Sequence, residues 1–166
     1  MFRPILLFLM IIMPPKALSL TDFGYISYET EPSLETLKSS KFGKLKNSHI
    51  SPGVKYHAIK FDLSNRSDST VTKMLRLPPV IANLTFYVIS TDGSVATFKS
   101  GINVPFSERP ILDHGYAIEI DLEAEESKKI FVVANSPFPF NFSLKIYSPK
   151  EFSIRLFVEN ALYLIT

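Results

Sequence analysis

The sequence predicts an all-β fold: an antiparallel, jelly-roll-like β-sandwich of about eight strands with one short helix near the N-terminus. Three observations predict it. Apolar and polar residues alternate in short runs, the period of a strand with one buried face. Clusters of Gly, Pro, Asn, Asp and Ser separate the runs at short, even spacing. Helical stretches do not alternate with the strands, so there is no βαβ pattern and no parallel sheet.

The elements follow in order. Gly24 to Tyr28 is a first strand around Tyr25 and Ile26. Ser33 is placed to cap a short helix from Leu34 to Ser39, with Glu35 in its first turn. Lys41 to Gly53 is a loop held down by Phe42 and Leu45. Val54 to Leu63 is a strand with Ile59, Phe61 and Leu63 on one face and Ala58, Lys60 and Asp62 on the other. The run Ser64 to Ser69 is turn chemistry. Val71 to Leu77 is a strand stopped by Pro78 and Pro79. Ile81 to Ser90 alternates Leu84, Phe86 and Val88 against Thr85, Tyr87 and Ile89. Asp92-Gly93 is a hairpin signal, and Val95 to Phe98 is the return strand.

Gly115 to Leu122 points Ile118, Ile120 and Leu122 inward, and Lys128 to Ala134 is apolar at its centre. Between them, Glu123 to Ser127 is a solvated acidic turn. Pro137 to Phe140 is a loop, Asn141 to Tyr147 is a strand, and Ser148 to Phe152 is a turn. Ser153 to Thr166 stands apart as a C-terminal tail. It is a terminal strand, or the beginning of a first membrane helix that the chain does not complete. As a helix it would span ~21 Å. With Arg155, Glu159 and Asn160 it does not cross a bilayer as it stands.

The N-terminus carries a secretory signal. Arg3 precedes an unbroken apolar run from Ile5 to Met13, and Ala17 and Ser19 are the small residues at −3 and −1 of a cleavage site. As a helix that run covers only ~14 Å of ~30 Å of hydrocarbon, which favours a cleaved signal over an anchor. The expected organisation is residues 1–19 as signal peptide, 20–152 as a β-sandwich sensor domain and 153–166 as the tail. Removing residues 1–19 leaves 147 of the 166, enough for one domain core. Arg3 and Lys16 leave with the signal, so the 18 basic residues become 16, equal to the 16 acidic ones. A neutral domain gives no basis for nucleic-acid binding. With no cysteine, disulfides, a lipoprotein anchor and thiolate metal sites are all excluded.

Little in the chain suggests catalysis. His49, His57 and His114 lie in different elements without metal spacing, and no nucleophile elbow or Gly-rich phosphate loop occurs. Glu108 and Asp113 are the carboxylates a hydrolase would have to use. The expectation is a non-enzyme with no cofactor and no metal. Tyr56, Tyr87, Tyr116 and Tyr147 are candidates for stacking on a sugar ring, although aromatic strand residues more often fill a core and its rim. Asn65, Asn83 and Asn141 each begin an N-x-S/T sequon.

The least ordinary stretch is Pro105-Phe106-Ser107-Glu108-Arg109-Pro110-Ile111. Each proline fixes its own φ and pushes the preceding residue towards extended geometry, so Val104 and Arg109 should be extended in a rigid loop. This block is followed by Ile120-Asp121-Leu122 and then by Ser148-Pro149-Lys150-Glu151-Phe152. Together they resemble the type 2 extracellular domain of bacterial seven-transmembrane receptors with diverse intracellular signalling modules, the 7TMR-DISM group. The likeness covers most of residues 23–152.

The resemblance implies a periplasmic, jelly-roll-like sensor module, similar in architecture to carbohydrate-binding modules, with a membrane-receptor or signalling partner. The chain departs from the group's YWLRF-like strand. Ala58 stands where Trp is expected and Lys60 where Arg is expected.

The expected function is therefore an extracytoplasmic, non-catalytic ligand-sensing domain of a signal-transduction receptor. Its ligand is small, carbohydrate being one class. The alternatives are a stand-alone secreted carbohydrate-binding module and a non-functional truncated receptor fragment. Tyr56, Lys60, Tyr87 and Arg109 are the expected ligand contacts, with Pro105, Phe106, Ser107, Glu108, Arg109 and Pro110 as the structural motif. The expected location is periplasmic or secreted, and membrane-attached only if a receptor continues past residue 166.

Overall fold

The computed structural model describes residues 18–44, 49–50, 53, 55–113 and 115–163. It is an antiparallel β-sandwich. One sheet has five strands: β1 (Leu18–Tyr28), β3 (Tyr56–Asn65), β8 (Ser127–Asn135), β5 (Asn83–Ile89) and β6 (Val95–Ser100), in that spatial order. The facing sheet has three: β10 (Lys145–Tyr147), β4 (Val71–Leu77) and β7 (Tyr116–Leu122). A two-residue pair, β2 (His49–Ile50) with β9 (Phe140–Asn141), closes one end.

Alternation sets the register. Ile59 lies opposite Val132, Phe61 opposite Ile130, and Phe86 opposite both Val132 and Phe98. These residues meet Leu75, Leu77, Ile118, Ile120 and Leu122 of the facing sheet in one core. Burying each such side chain is worth roughly 1.5–3 kcal/mol. A one-residue slip would turn the whole stripe to the other side, which fixes the pairing.

The five-stranded sheet is also apolar on its outer face. Ala58, Phe131 and Val133 are buried there with Leu37. Leu37 belongs to helix α1 (Leu34–Ser39), whose Ser33 cap accepts a hydrogen bond from the Thr36 N–H. Ala58, the departure from the receptor-group pattern, therefore lies in the small apolar layer under α1. Phe42 joins that layer and stands 5.7 Å from Phe131, ring to ring.

The one-helix expectation is corrected at the C-terminus. Helix α2 spans Pro149–Tyr163, where a turn and a tail were expected. Ser148 and Glu151 form its capping box: the Ser148 N–H donates to the Glu151 carboxylate (2.7 Å), and the Glu151 N–H donates to the Ser148 hydroxyl (3.3 Å). Pro149 stands at the first helical position, where its missing donor costs nothing. Phe152 is buried against Met74 and Ala117, with Ile111, Tyr147 and Leu156 around them. The boundary drawn between residues 152 and 153 thus falls inside one helix.

Other differences are smaller. β1 begins at Leu18, six residues before the expected strand, because Leu18 to Thr21 pair with Asn65 to Asp62 across a bulge. The strand expected from Asn141 to Tyr147 splits into β9 and β10. Val54, Leu45 and His114 lie outside the described residues. Asn65 is buried; its side-chain amide donates to the carbonyls of Ser69, Leu122 and Glu123. It knits two turns together and is not available as a glycan acceptor.

Gly101 closes the turn after β6 at φ +117°, a region essentially restricted to glycine, and a Cβ there would run into the Ala82 carbonyl oxygen. Gly101→Ala is expected to cost roughly 1–3 kcal/mol, read as a lower midpoint in urea denaturation. An unchanged midpoint would show that this turn relaxes freely.

Candidate functional site

The strand register gives the sandwich two unlike ends. At one end, the turns Asn65–Thr70, Thr91–Ser94 and Glu123–Glu126 are polar and rich in charge. At the other lie the proline-rich segments Pro78–Ala82, Gly101–Asp113 and Ser136–Pro139. Exposed apolar side chains gather here: Val80, Ile102, Phe106, Leu112 and Phe138. Backbone and hydroxyl bonds lock these loops together. The N–H of Ile102 donates to the Ile81 carbonyl (2.9 Å), and the Ser136 hydroxyl donates to the Val80 carbonyl (2.9 Å).

The PFSERPI stretch forms the most built part of this end. Phe106–Glu108 is a single 3-10 turn between the prolines, a local helix where a plain loop was expected. Arg109 is extended at φ −73°, ψ 143°, as Pro110 requires. Its Nε donates to the Val104 carbonyl (3.1 Å). Its guanidinium stands 5.4 Å from the centroid of the Phe106 ring and 5.4 Å from that of Tyr116. Tyr116 is buried, and its hydroxyl donates to the Pro79 carbonyl (2.9 Å). Burial raises the Tyr116 pKa, with the Arg109 charge opposing. Phe106 is 53% exposed, so an aromatic face is offered to solvent on a rigid backing. Ser107 and Glu108 are exposed beside it.

The other expected contacts lie elsewhere. Tyr56, Lys60 and Tyr87 share the outer face of the five-stranded sheet, away from Arg109. Tyr56 and Tyr87 are half-buried in the layer that α1 covers. Burial raises the Tyr87 pKa, helped by the charges of Glu31 and Glu35. Lys60 donates to Asp22 (2.7 Å) and lies over the Phe42 ring, so its ammonium already has partners. Its hydrogen bond holds the Asp22 carboxyl below its ordinary value. Ala17 lies outside the described residues, and Ser19 pairs with Ser64 in β1.

One cluster was not read from the sequence. Arg76 of β4 grips Asp113 through Nε (2.6 Å) and Nη2 (3.0 Å). It grips Glu159 of α2 through Nη1 (3.1 Å) and Nη2 (2.7 Å). Arg155 pairs with Glu159 one helical turn away (2.8 Å). Asp113 is fully buried. Burial opposes the Arg76 charge, but the two carboxylates outweigh it and raise its pKa. Gly115 makes room for the pair: a Cβ there would sit 2.6 Å from the Arg76 Nε. Asp113, one of the two carboxylates a hydrolase would have to use, thus has both oxygens on Arg76. Spacing could not reveal this cluster, since Arg76 is 37 residues from Asp113 and 83 from Glu159.

At the same end His57 faces inward. The Tyr25 hydroxyl bonds its Nδ1 (2.8 Å), and Phe140 meets it edge-on at 6.0 Å. Burial, and then the Lys55 charge, lower the His57 pKa. Among the described residues no group of three or more His, Asp or Glu is placed to hold a metal, and no helix is long and apolar enough to cross a membrane.

The chain is thus a β-sandwich with a helix on each of its two outer faces. A family model described as 7TMR-DISM extracellular 2 matches residues 14–148. The chain belongs to that family of extracellular sensor domains of receptors. Among curated proteins none matches the chain.

Two outcomes follow from these contacts. Asp113→Ala strands a buried guanidinium edge and is expected to cost roughly 3–5 kcal/mol, against about 1 kcal/mol or less for the more exposed Glu159→Gln, both by urea denaturation. His57 binds its proton less readily folded than unfolded, so its contribution is complete above about pH 6.5 and shrinks as pH falls below it. The melting temperature should therefore fall between pH 7.5 and 5.5, and His57→Phe should flatten that slope. An equal slope in the variant would assign it to other groups.

Proposed function

We propose that this domain is an extracytoplasmic, non-catalytic sensor that binds a small neutral ligand at its loop end, a sugar ring being the first candidate. The observation that carries this is the exposed Phe106 face, backed by Arg109 and Tyr116 on a proline-fixed loop. Stacking needs a flat apolar surface held still, and the prolines and the Arg109 bond to Val104 restrain the backbone that carries this one. The outer sheet face, where Tyr56 and Tyr87 lie, supports the reading less, since α1 already covers it. The neutral charge of residues 20–166 suits an uncharged ligand.

The export signal belongs to the same proposal. Cleavage after Ser19 removes two residues from β1 and leaves the pairs from Leu20 onward. N-terminal sequencing of protein from the periplasmic or culture fraction should begin at Leu20; an intact Met1 or cytoplasmic recovery would overturn export by cleavage.

Binding is tested by calorimetric titration and thermal shift with neutral mono- and oligosaccharides. A bound sugar should raise the melting temperature and be recovered unchanged. Phe106→Ala should weaken it roughly two- to tenfold without unfolding the domain. Loss of binding in Tyr87→Ala with Phe106→Ala unaffected would move the site to the sheet face. Conversion of the sugar would make the domain an enzyme, and no binding across the panel would reject the sugar class.

A further inference from the structure

Helix α2 is held on the sandwich by few groups. Phe152 is buried, Leu156 is partly buried, Glu159 binds Arg76, and the Arg155 guanidinium lies 5.8 Å from the centroid of the Tyr147 ring. Ile154, Phe157, Val158 and Leu162 face solvent, with Phe157 75% exposed. The helix begins at Pro149, immediately after the family match ends at residue 148. Its direction follows from its contacts. Phe152 packs at the level of Met74, and Glu159 reaches Arg76, two residues nearer the loop end. So α2 runs back along the outer face of the three-stranded sheet towards the proline-rich loops.

We infer that Arg76 is a coupling residue that ties the loop of residues 104–113 to helix α2, so that displacement of the loop loosens the helix and undocking of the helix loosens the loop. The inference takes its purpose from the sensing role proposed above, but its geometry is independent of any ligand.

The guanidinium is planar and holds one carboxylate on each of two edges. It cannot turn to follow one partner without breaking its bonds to the other. Asp113 has no solvent to fall back on, because it is fully buried. The backbone at Gly115 lies close beside the pair, where any Cβ would collide with it. The loop is stiff up to this point. Arg109 fixes residues 104–109 through its bond to Val104 and its two ring contacts, and Asp113 follows four residues later. Ile111, between them, packs in the same cluster as Phe152 and Leu156. A ligand that shifts Phe106 or Arg109 therefore acts on Asp113, and Asp113 acts on α2 through Arg76, alongside the apolar contact that Ile111 makes with the cluster of Phe152 and Leu156. Coupling of this kind must run equally in both directions.

Amide hydrogen exchange on the full chain, with no ligand added, tests this. Glu159→Gln keeps the buried Arg76–Asp113 pair and should fold. It should speed exchange in α2 and also in residues 104–113, by about fivefold or more, with β3 and β8 unchanged. In the opposite direction, Arg109→Ala should speed exchange in α2, which it does not touch. Phe106→Ala, at an exposed position, repeats that arm if Arg109→Ala does not fold. Exchange changes confined to the mutated segment in both directions would overturn the inference and leave two independent ion pairs. Failure of the sugar titration leaves this measurement unaffected. Failure here, with a sugar still bound, leaves the sensing role standing without this route.

Discussion

A sheet that is apolar on both faces must be covered twice, and the architecture follows from that constraint. β3 and β8 carry large apolar residues on the inward side and Ala58, Phe131 and Val133 on the outward side. The three-stranded sheet covers the first face, and α1 with Phe42 covers the second. The smaller sheet has its own outer patch, Met74 and Ala117, and α2 covers it through Phe152. The result is four layers: helix, sheet, sheet, helix. Each helix sits where leaving a patch in water would forfeit roughly 25 cal/mol per Å².

The polar groups divide along the same lines. At the charge-rich end, Asn65 satisfies the carbonyls of two turns, as a buried amide must. At the proline-rich end, prolines and short bonds replace charge as the means of holding loops. Arg76 is the exception, a buried-edge cation with two carboxylates. Such a cluster is a poor source of net stability, because desolvation cancels much of the attraction. What it supplies is a fixed geometry between a loop and a helix, and that is why it marks the route between the two. The rigid Phe106–Arg109–Tyr116 stack and this cluster are separated by only the few residues from Pro110 to Asp113.

Much of the fold was legible because strand alternation is local. Ile59, Phe61 and Leu63 declare their face within five residues, and so do Leu84, Phe86 and Val88. The capping of α1 by Ser33 was equally local. The α2 start was legible too and was read as a turn: Ser148-Pro149-Lys150-Glu151 is a capping box with proline at the first helical position. The candidate contacts were less well served. Alternation set Lys60 on the face away from Ile59 and Phe61, and Tyr87 on the face away from Phe86, but it cannot say that the two strands turn those faces the same way or that a helix from elsewhere in the chain lies over them.

By itself, then, the sequence determined most of the strands, the inward stripes, the α1 cap, the extended backbone at Arg109 and the family. All of these are written in residues within a few positions of one another. Only the tertiary structure decided that Tyr56 and Tyr87 lie under α1, that Arg109 is stacked between two rings, and that Arg76 joins Asp113 to Glu159. Those outcomes depend on residues tens of positions apart being brought together, and on which of several apolar faces each helix covers. Chain separation hides such contacts, because the energy that selects them appears only when the layers close.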